Sequence, residues 1–117
     1  MCNILIADDS YIIRRTLENI LVHAGHTIYQ SENGLEMLEV YTNTSPDVVL
    51  LDIDMPVMSG LEALLHLRDI DPDTKVIICS SHDDECTLNK ARSLGVEHFI
   101  SKPFSANDVR TVIEQYV

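Results

Sequence analysis

The chain has 117 residues, 45% of them apolar, with 8 basic against 19 acidic side chains and a net charge of −11. That length suits one domain that needs no disulfide or metal staple for its core. The acidity argues against DNA or RNA as a direct partner, because such binding rests on Lys and Arg neutralising phosphates; it fits a basic partner surface or a bound cation, and it aids solubility.

Ile4 to Ala7 (ILIA) is a short continuous apolar run, the pattern of a strand buried on both faces. Ile13, Leu17, Ile20, Leu21 and Ala24 follow at helical spacing, and Gly25 stops that helix. Thr27 to Gln30 (TIYQ) reads as a weaker, edge strand. Leu35, Leu38 and Tyr41 or Thr42 give a second, weaker helical face. Val48 to Leu51 (VVLL) is another buried strand. Leu61, Leu64, Leu65 and Arg68 mark a third helix, with Ser59 near its start. Val76 to Cys79 (VIIC) is a fourth strand, and Leu88, Ala91 and Leu94 lie on a helix closed by Gly95. His98 to Ile100 (HFI) gives a short fifth strand. Val109, Val112, Ile113 and Tyr116 give a last helical face at i, i+3, i+4, i+7.

Strand and helix thus alternate five times. The expected fold is α/β: a doubly wound, five-stranded parallel sheet with helices on both faces. The connections are short, so one domain is expected over residues 1–117.

Cys2, Cys79 and Cys86 are odd in number and lack CxxC spacing. No disulfide framework is expected, and a reducing compartment is. No apolar stretch reaches the roughly 20 residues of a membrane helix, and no signal pattern opens the chain. A cytoplasmic protein without membrane insertion is expected.

In a doubly wound sheet, ligands sit beyond the carboxyl ends of the strands. Asp8, Asp9 and Ser10 follow the first strand, Asp52 the third, Ser80 and Ser81 the fourth, and Lys102 and Pro103 the fifth. Each residue has an ordinary alternative reading. Asp8 and Asp9 suit a helix cap, Asp52 can end a strand, Ser80 suits a turn, and Lys102 a solvated surface. Their convergence on one edge is what points to a site. Three acids together repel one another unless one takes a proton or a cation sits among them. Mg²⁺, with Mn²⁺ as a substitute, is the hard cation that bridges carboxylates to a phosphate. With Lys102 as a point charge and Ser80 as a hydroxyl donor, the set reads as a phosphoryl site. No glycine-rich nucleotide loop is present.

The segments ILIADDS, VVLLDIDMPVMSG, VIICSS and FISKPF resemble, in order and spacing, the receiver domain of two-component response regulators, the CheY-like chemotaxis class especially. The resemblance covers essentially the whole chain. It implies the strand order 2-1-3-4-5 of flavodoxin-like folds. It implies that Asp52 is the phosphoacceptor, attacking a phosphohistidine on a sensor histidine kinase. Asp8 and Asp9 stand as Mg²⁺-binding acids beside Asp52, with the backbone carbonyl of Asp54 completing the protein ligands. Ser80 and Lys102 would contact phosphoryl oxygens, and a cis peptide would join Lys102 to Pro103. Ser80 and Phe99 would form the switch, acting on the face of helix 4, strand 5 and helix 5. Phe99 lacks the hydroxyl of the tyrosine common in chemotaxis members. Ser81 replaces a small residue, usually Ala, and should leave room for the phosphoryl group. Asp54 and His82 occupy the positions that tune phosphoryl lifetime, and a lifetime unlike that of members with neutral residues there is expected.

The protein is accordingly expected to be a signalling switch rather than an enzyme, although it would catalyse its own phosphorylation and dephosphorylation. Its downstream target would be a protein, such as the flagellar switch or a phosphorelay member. Four other readings share some features. A pseudo-receiver would be a phosphorylation-independent binding module, but such proteins generally lose one of the acids, the lysine or the hydroxyl. A receiver excised from a larger regulator would look the same. Asp52-Ile53-Asp54 also resembles the Asp-x-Asp pair of haloacid-dehalogenase-type phosphatases, which place that pair on the first strand instead. A flavin carrier of the same fold would have a hydroxyl- and glycine-rich loop where Asp8-Asp9-Ser10 stands.

Four further readings were available. His23 and His26 could pair on a metal, although His23 fits the carboxyl end of helix 1. Met55 and Met58 suit packing at the site rim. Cys79 suits a small buried hydrophobe. Asp83, Asp84 and Glu85 suit the start of helix 4.

Overall fold

The computed structural model describes residues 2–81 and 84–116. Ten elements alternate as expected: β1 (Asn3–Ala7), α1 (Tyr11–His23), β2 (Thr27–Ser31), α2 (Gly34–Thr44), β3 (Val48–Leu51), α3 (Gly60–Ile70), β4 (Lys75–Ser80), α4 (Glu85–Ser93), β5 (His98–Ser101) and α5 (Ala106–Ile113). A 3-10 turn, Glu114–Tyr116, follows α5. The strands form one parallel sheet in the order β2-β1-β3-β4-β5.

The alternation of side chains along each strand divides the core in two. Leu5, Ala7, Val49, Leu51, Val76 and Ile78 face one way and meet Met37, Tyr41, Ala63, Leu64, Leu67 and Ala91 of α2, α3 and α4. Ile4, Ile6, Val48, Leu50, Ile77, Cys79 and Ile100 face the other way and meet Leu17, Leu21, Val109 and Ile113 of α1 and α5. Strands covered on both faces need apolar residues at every position, which is why ILIA, VVLL and VIIC read as continuous runs. β2, at the sheet edge, is only partly buried.

Side-chain oxygens of Ser10, Asn33, Ser59, Asp84 and Ser105 accept from backbone amides of the first turn of α1 to α5 respectively. Such caps satisfy donors that have no partner within the helix. Gly25 and Gly95 end α1 and α4 with φ of 91° and 88°, a backbone conformation open chiefly to glycine.

Two helical faces differ from expectation. Leu35 on α2 is 47% exposed, and Leu65 on α3 is 54% exposed. The buried stripes are Gly34, Met37 and Tyr41 on α2, and Gly60, Ala63, Leu64 and Leu67 on α3. The cause lies at the helix starts. The Gly34 amide donates to the Met58 carbonyl at 3.0 Å, and the Gly60 amide to the Ile53 carbonyl at 2.8 Å. At both points backbone meets backbone, so each glycine faces inward and fixes the rotation of its helix. The leucine pattern alone favoured a different rotation.

Candidate functional site

The carboxyl ends of β1, β3, β4 and β5 meet at one edge of the sheet. Asp8 directly follows β1, and its amide donates to the Ser31 carbonyl at 3.1 Å. Asp52 directly follows β3, and its amide donates to the Ala7 carbonyl at 2.9 Å. The backbone of each acid is thus held by the neighbouring strand. Ser10, not an aspartate, caps α1, so Asp8 and Asp9 are not spent on capping the helix. The Ser10 amide instead donates to Asp8 Oδ1 at 2.9 Å and turns that carboxylate toward the sheet edge.

One carboxylate oxygen from each of Asp8, Asp9 and Asp52 lies within 4.8 Å of the others. Asp8 and Asp52 are buried and Asp9 is exposed, so the cluster opens to solvent on one side. Lys102 Nζ lies 2.6 Å from Asp8 Oδ2 and 3.5 Å from Asp52 Oδ1. Its backbone amide donates to the Ser80 carbonyl at 3.1 Å, which ties the loop after β5 to the end of β4. Ser80 itself is buried. The Lys102–Pro103 peptide is cis, as the resemblance implied.

The electrostatics follow from that geometry. Burial and the neighbouring Asp8 charge push the Asp52 carboxyl above its usual range, and Lys102 opposes them only in part. Burial alone would lower the Lys102 ammonium, but its bond to Asp8 and the charges of Asp8 and Asp52 outweigh that, and the net shift is upward. Among the described residues Lys102 reaches two of the three acids, Asp8 and Asp52, so negative charge is left over at an edge open to water. This donor set of carboxylate oxygens fits a hard divalent cation such as Mg²⁺.

The family described as the response regulator receiver domain matches residues 4–114 of the chain. The chain belongs to that family. The chemotaxis protein CheY of Listeria monocytogenes is 39% identical over 116 residues, covering 98% of both chains. Sporulation initiation phosphotransferase F of Bacillus subtilis is 34% identical over 114 residues, covering 97% of this chain and 92% of that one. Among solved structures, a chain of the CheX-CheY-BeF3-Mg²⁺ complex from Borrelia burgdorferi superposes with a TM-score of 0.92 at 31% identity, covering 98% of this chain and 89% of that one. This is a CheY-like receiver of the two-component signalling class.

The other residues singled out in the receiver sequence are placed as follows. Asp54 is exposed in the loop between β3 and α3. In the same loop Met58 donates its amide to the Pro56 carbonyl at 2.7 Å, and Val57 between them has φ of 67°. Met55 and Met58 pack against the core under α2 and α3. Phe99 pairs with Ile78 across β4 and β5 and packs on the α4 side, with the Arg92 guanidinium 5.2 Å from its ring centre. His82 and Asp83 lie outside the described residues. Asp84 caps α4, and Glu85 sits in its first turn. His23 donates to the Asn19 carbonyl within α1, while His26 accepts from the Cys2 amide, so the two histidines have different partners. No helix among the described residues is long and apolar enough to cross a membrane.

Arg14 is the site neighbour that the sequence patterns did not single out. It is buried, on the same stripe of α1 as Leu17 and Leu21. A charged residue three before Leu17 and seven before Leu21 was the available signal.

Cys79 abuts Ser80 and is buried. Burial pushes its thiol up to about 12, so it carries almost no thiolate at neutral pH. Cys2 is also buried and Cys86 is exposed. Native protein at pH 8 should therefore release one equivalent of chromophore rapidly from a disulfide thiol reagent, and all three only in denaturant. Rapid release of two or three equivalents from native protein would contradict this packing.

Proposed function

We propose that the receiver accepts a phosphoryl group on Asp52 from the phosphohistidine of a sensor histidine kinase. The observation that carries this reading is the clustering of Asp8, Asp9 and Asp52 within 4.8 Å, with Lys102 against two of them. The Asp52 carboxylate attacks phosphorus; an oxygen–phosphorus bond forms as the nitrogen–phosphorus bond of the donor breaks. The side chains of Asp8, Asp9 and Asp52 and the backbone carbonyl of Asp54 would hold Mg²⁺. When bound, Mg²⁺ offsets the charge that would otherwise keep an anionic nucleophile from an anionic donor. Lys102 contacts one phosphoryl oxygen as a mobile point charge. Ser80 donates its hydroxyl to another.

The new acceptor draws Ser80 and the loop after β4 inward, and Phe99 fills the space behind it. Phosphorylation thereby biases a two-state packing element, and the face made by α4, β5 and α5 presents the result to a protein target. Asp54 and His82 tune how long the phosphoryl group lasts. The protein acts as a cytoplasmic switch rather than as an enzyme on a separate substrate. The target is a protein such as the flagellar switch or a phosphorelay member; the chemotaxis name of one relative and the phosphotransferase name of another support a role in signalling of this kind. The beryllofluoride and Mg²⁺ named for the Borrelia complex support the phosphoryl and metal assignments.

The test is incubation with acetyl phosphate, with and without Mg²⁺, read by intact mass, with Asp52→Asn alongside. One Mg²⁺-dependent, base-labile phosphoryl adduct is expected in the wild type only. No adduct under any condition would overturn the reading and favour a phosphorylation-independent binding module.

A further inference from the structure

Arg14 is buried to 7% of its full exposure, and its three nitrogens all have partners. Nη1 donates to the Asp8 backbone carbonyl at 2.7 Å. Nε donates to Gln30 Oε1 at 3.2 Å, and Nη2 to Glu32 Oε1 at 3.3 Å. Gln30 is held in turn by Glu18 of α1, to whose Oε2 its amide nitrogen donates at 2.9 Å. The ring of Tyr11, one turn back on α1, lies 5.9 Å from the guanidinium carbon.

These bonds converge on a single peptide. The Asp8 amide is fixed to the Ser31 carbonyl of β2, and the Asp8 carbonyl is fixed to Arg14, which grips Gln30 of the same strand. The backbone of Asp8 is therefore clamped to β2 at both polar groups. Its carboxylate is the one that holds Lys102 at 2.6 Å. Asp8 is thus held at two points, its carboxylate by Lys102 and its backbone carbonyl by Arg14.

We infer that Arg14 is a positioning residue for the metal site: its planar fork fixes the Asp8 backbone, and through it the spacing of Asp8 from Asp9, Asp52 and Lys102. The inference rests on the Mg²⁺ assignment made above. A flat guanidinium can serve three acceptors lying in different directions in one plane, whereas an ammonium of the same charge cannot. Outer groups that orient metal ligands typically matter by 10-fold to 100-fold in affinity.

Arg14→Lys is the decisive variant because it separates geometry from charge. Loss of the positive charge alone would tighten cation binding by Coulomb's law, while loss of the fork would weaken it. Lysine keeps the charge and removes the fork. Mg²⁺ titrations by calorimetry on the whole chain, with thermal melts of the metal-free proteins, are the readouts. Arg14→Lys is expected to melt cooperatively and bind Mg²⁺ about tenfold more weakly. Glu32→Gln, which alters only the exposed end of the network, is expected to bind within about twofold of wild type. Wild-type affinity in a folded Arg14→Lys protein would overturn the proposal. Should Arg14→Lys not fold, Gln30→Met removes the Nε acceptor while leaving Arg14 in place; a Kd raised about threefold or more would support the proposal, and an unchanged Kd would overturn it. Because the readout is Mg²⁺ binding, it stands whether or not acetyl phosphate labels the wild type. Wild-type protein that binds no Mg²⁺ would instead remove the metal assignment on which the inference depends.

Discussion

Gly60→Ala is expected to destabilise the protein by about 3 kcal/mol or more, the upper range for forced overpacking. Gly60 opens α3 where the helix lands on the end of β3. A methyl group there would overlap the Asp52 carbonyl oxygen and lie 2.8 Å from the Ile53 Cα and 2.9 Å from the Asp52 carbonyl carbon. All three are backbone atoms of the segment that carries Asp52, so no side chain can swing aside. Either α3 lifts from the sheet, opening the contacts of Ala63, Leu64 and Leu67, or the backbone of Asp52 moves. Gly25→Ala is the matched control. Its methyl group would meet nothing within 4 Å, and it carries only the conformational penalty of a left-handed residue, about 1–2 kcal/mol. Urea unfolding of both variants gives the comparison. Equal losses would mean that the junction of β3 and α3 yields easily, contrary to the close backbone packing. A folded remnant of Gly60→Ala should also take up phosphate poorly, because the shifted group is the proposed acceptor.

Asp52→Asn should have the opposite effect on stability. At neutral pH the buried Asp52 carboxylate lies beside Asp8, and burial together with that charge raises its pKa. A raised folded pKa means that the folded state binds the proton more tightly than the unfolded state. The corresponding stability is complete below the unfolded carboxylate value of about 3.9, and it is lost as pH rises through the folded value. At pH 7.5 the wild type therefore bears a cost that a neutral asparagine does not. Metal-free Asp52→Asn is expected to be more stable by about 1 kcal/mol, the usual scale for relaxing a functional site, or about 4 °C in Tm. Two dependences identify the cause. The advantage should shrink as pH falls, because the wild-type carboxylate, raised above its usual range, takes up its proton and loses the cost of burial. It should also shrink in saturating Mg²⁺, because the wild type gains binding energy on folding. A metal-free variant less stable than wild type at pH 7.5 would show that the Lys102 contact at 3.5 Å outweighs burial and repulsion.

Some of this was legible in the sequence by itself. ILIA, VVLL and VIIC fitted strands covered on both faces, since apolar residues at successive positions need an apolar partner on each side. Gly25 and Gly95 marked the ends of α1 and α4 because a positive φ leaves little other choice. Asp8, Asp9, Asp52, Ser80 and Lys102 could be gathered before any coordinates, because parallel strands all deliver their following residues to one edge.

Only the tertiary structure decided the rest. Leu35 and Leu65 look like core residues in a helical count, yet Gly34 and Gly60 turn them outward. A glycine adds nothing to an apolar stripe, so close backbone approach leaves no mark in a pattern of hydrophobicity. Arg14 looks like a surface cation, yet it lies buried with its three nitrogens bonded to Asp8, Gln30 and Glu32. Its partners come from β2 and the loops at the ends of β1 and β2, up to 18 residues away in the chain. Local periodicity carries no record of which distant acceptors a folded chain will bring to one guanidinium.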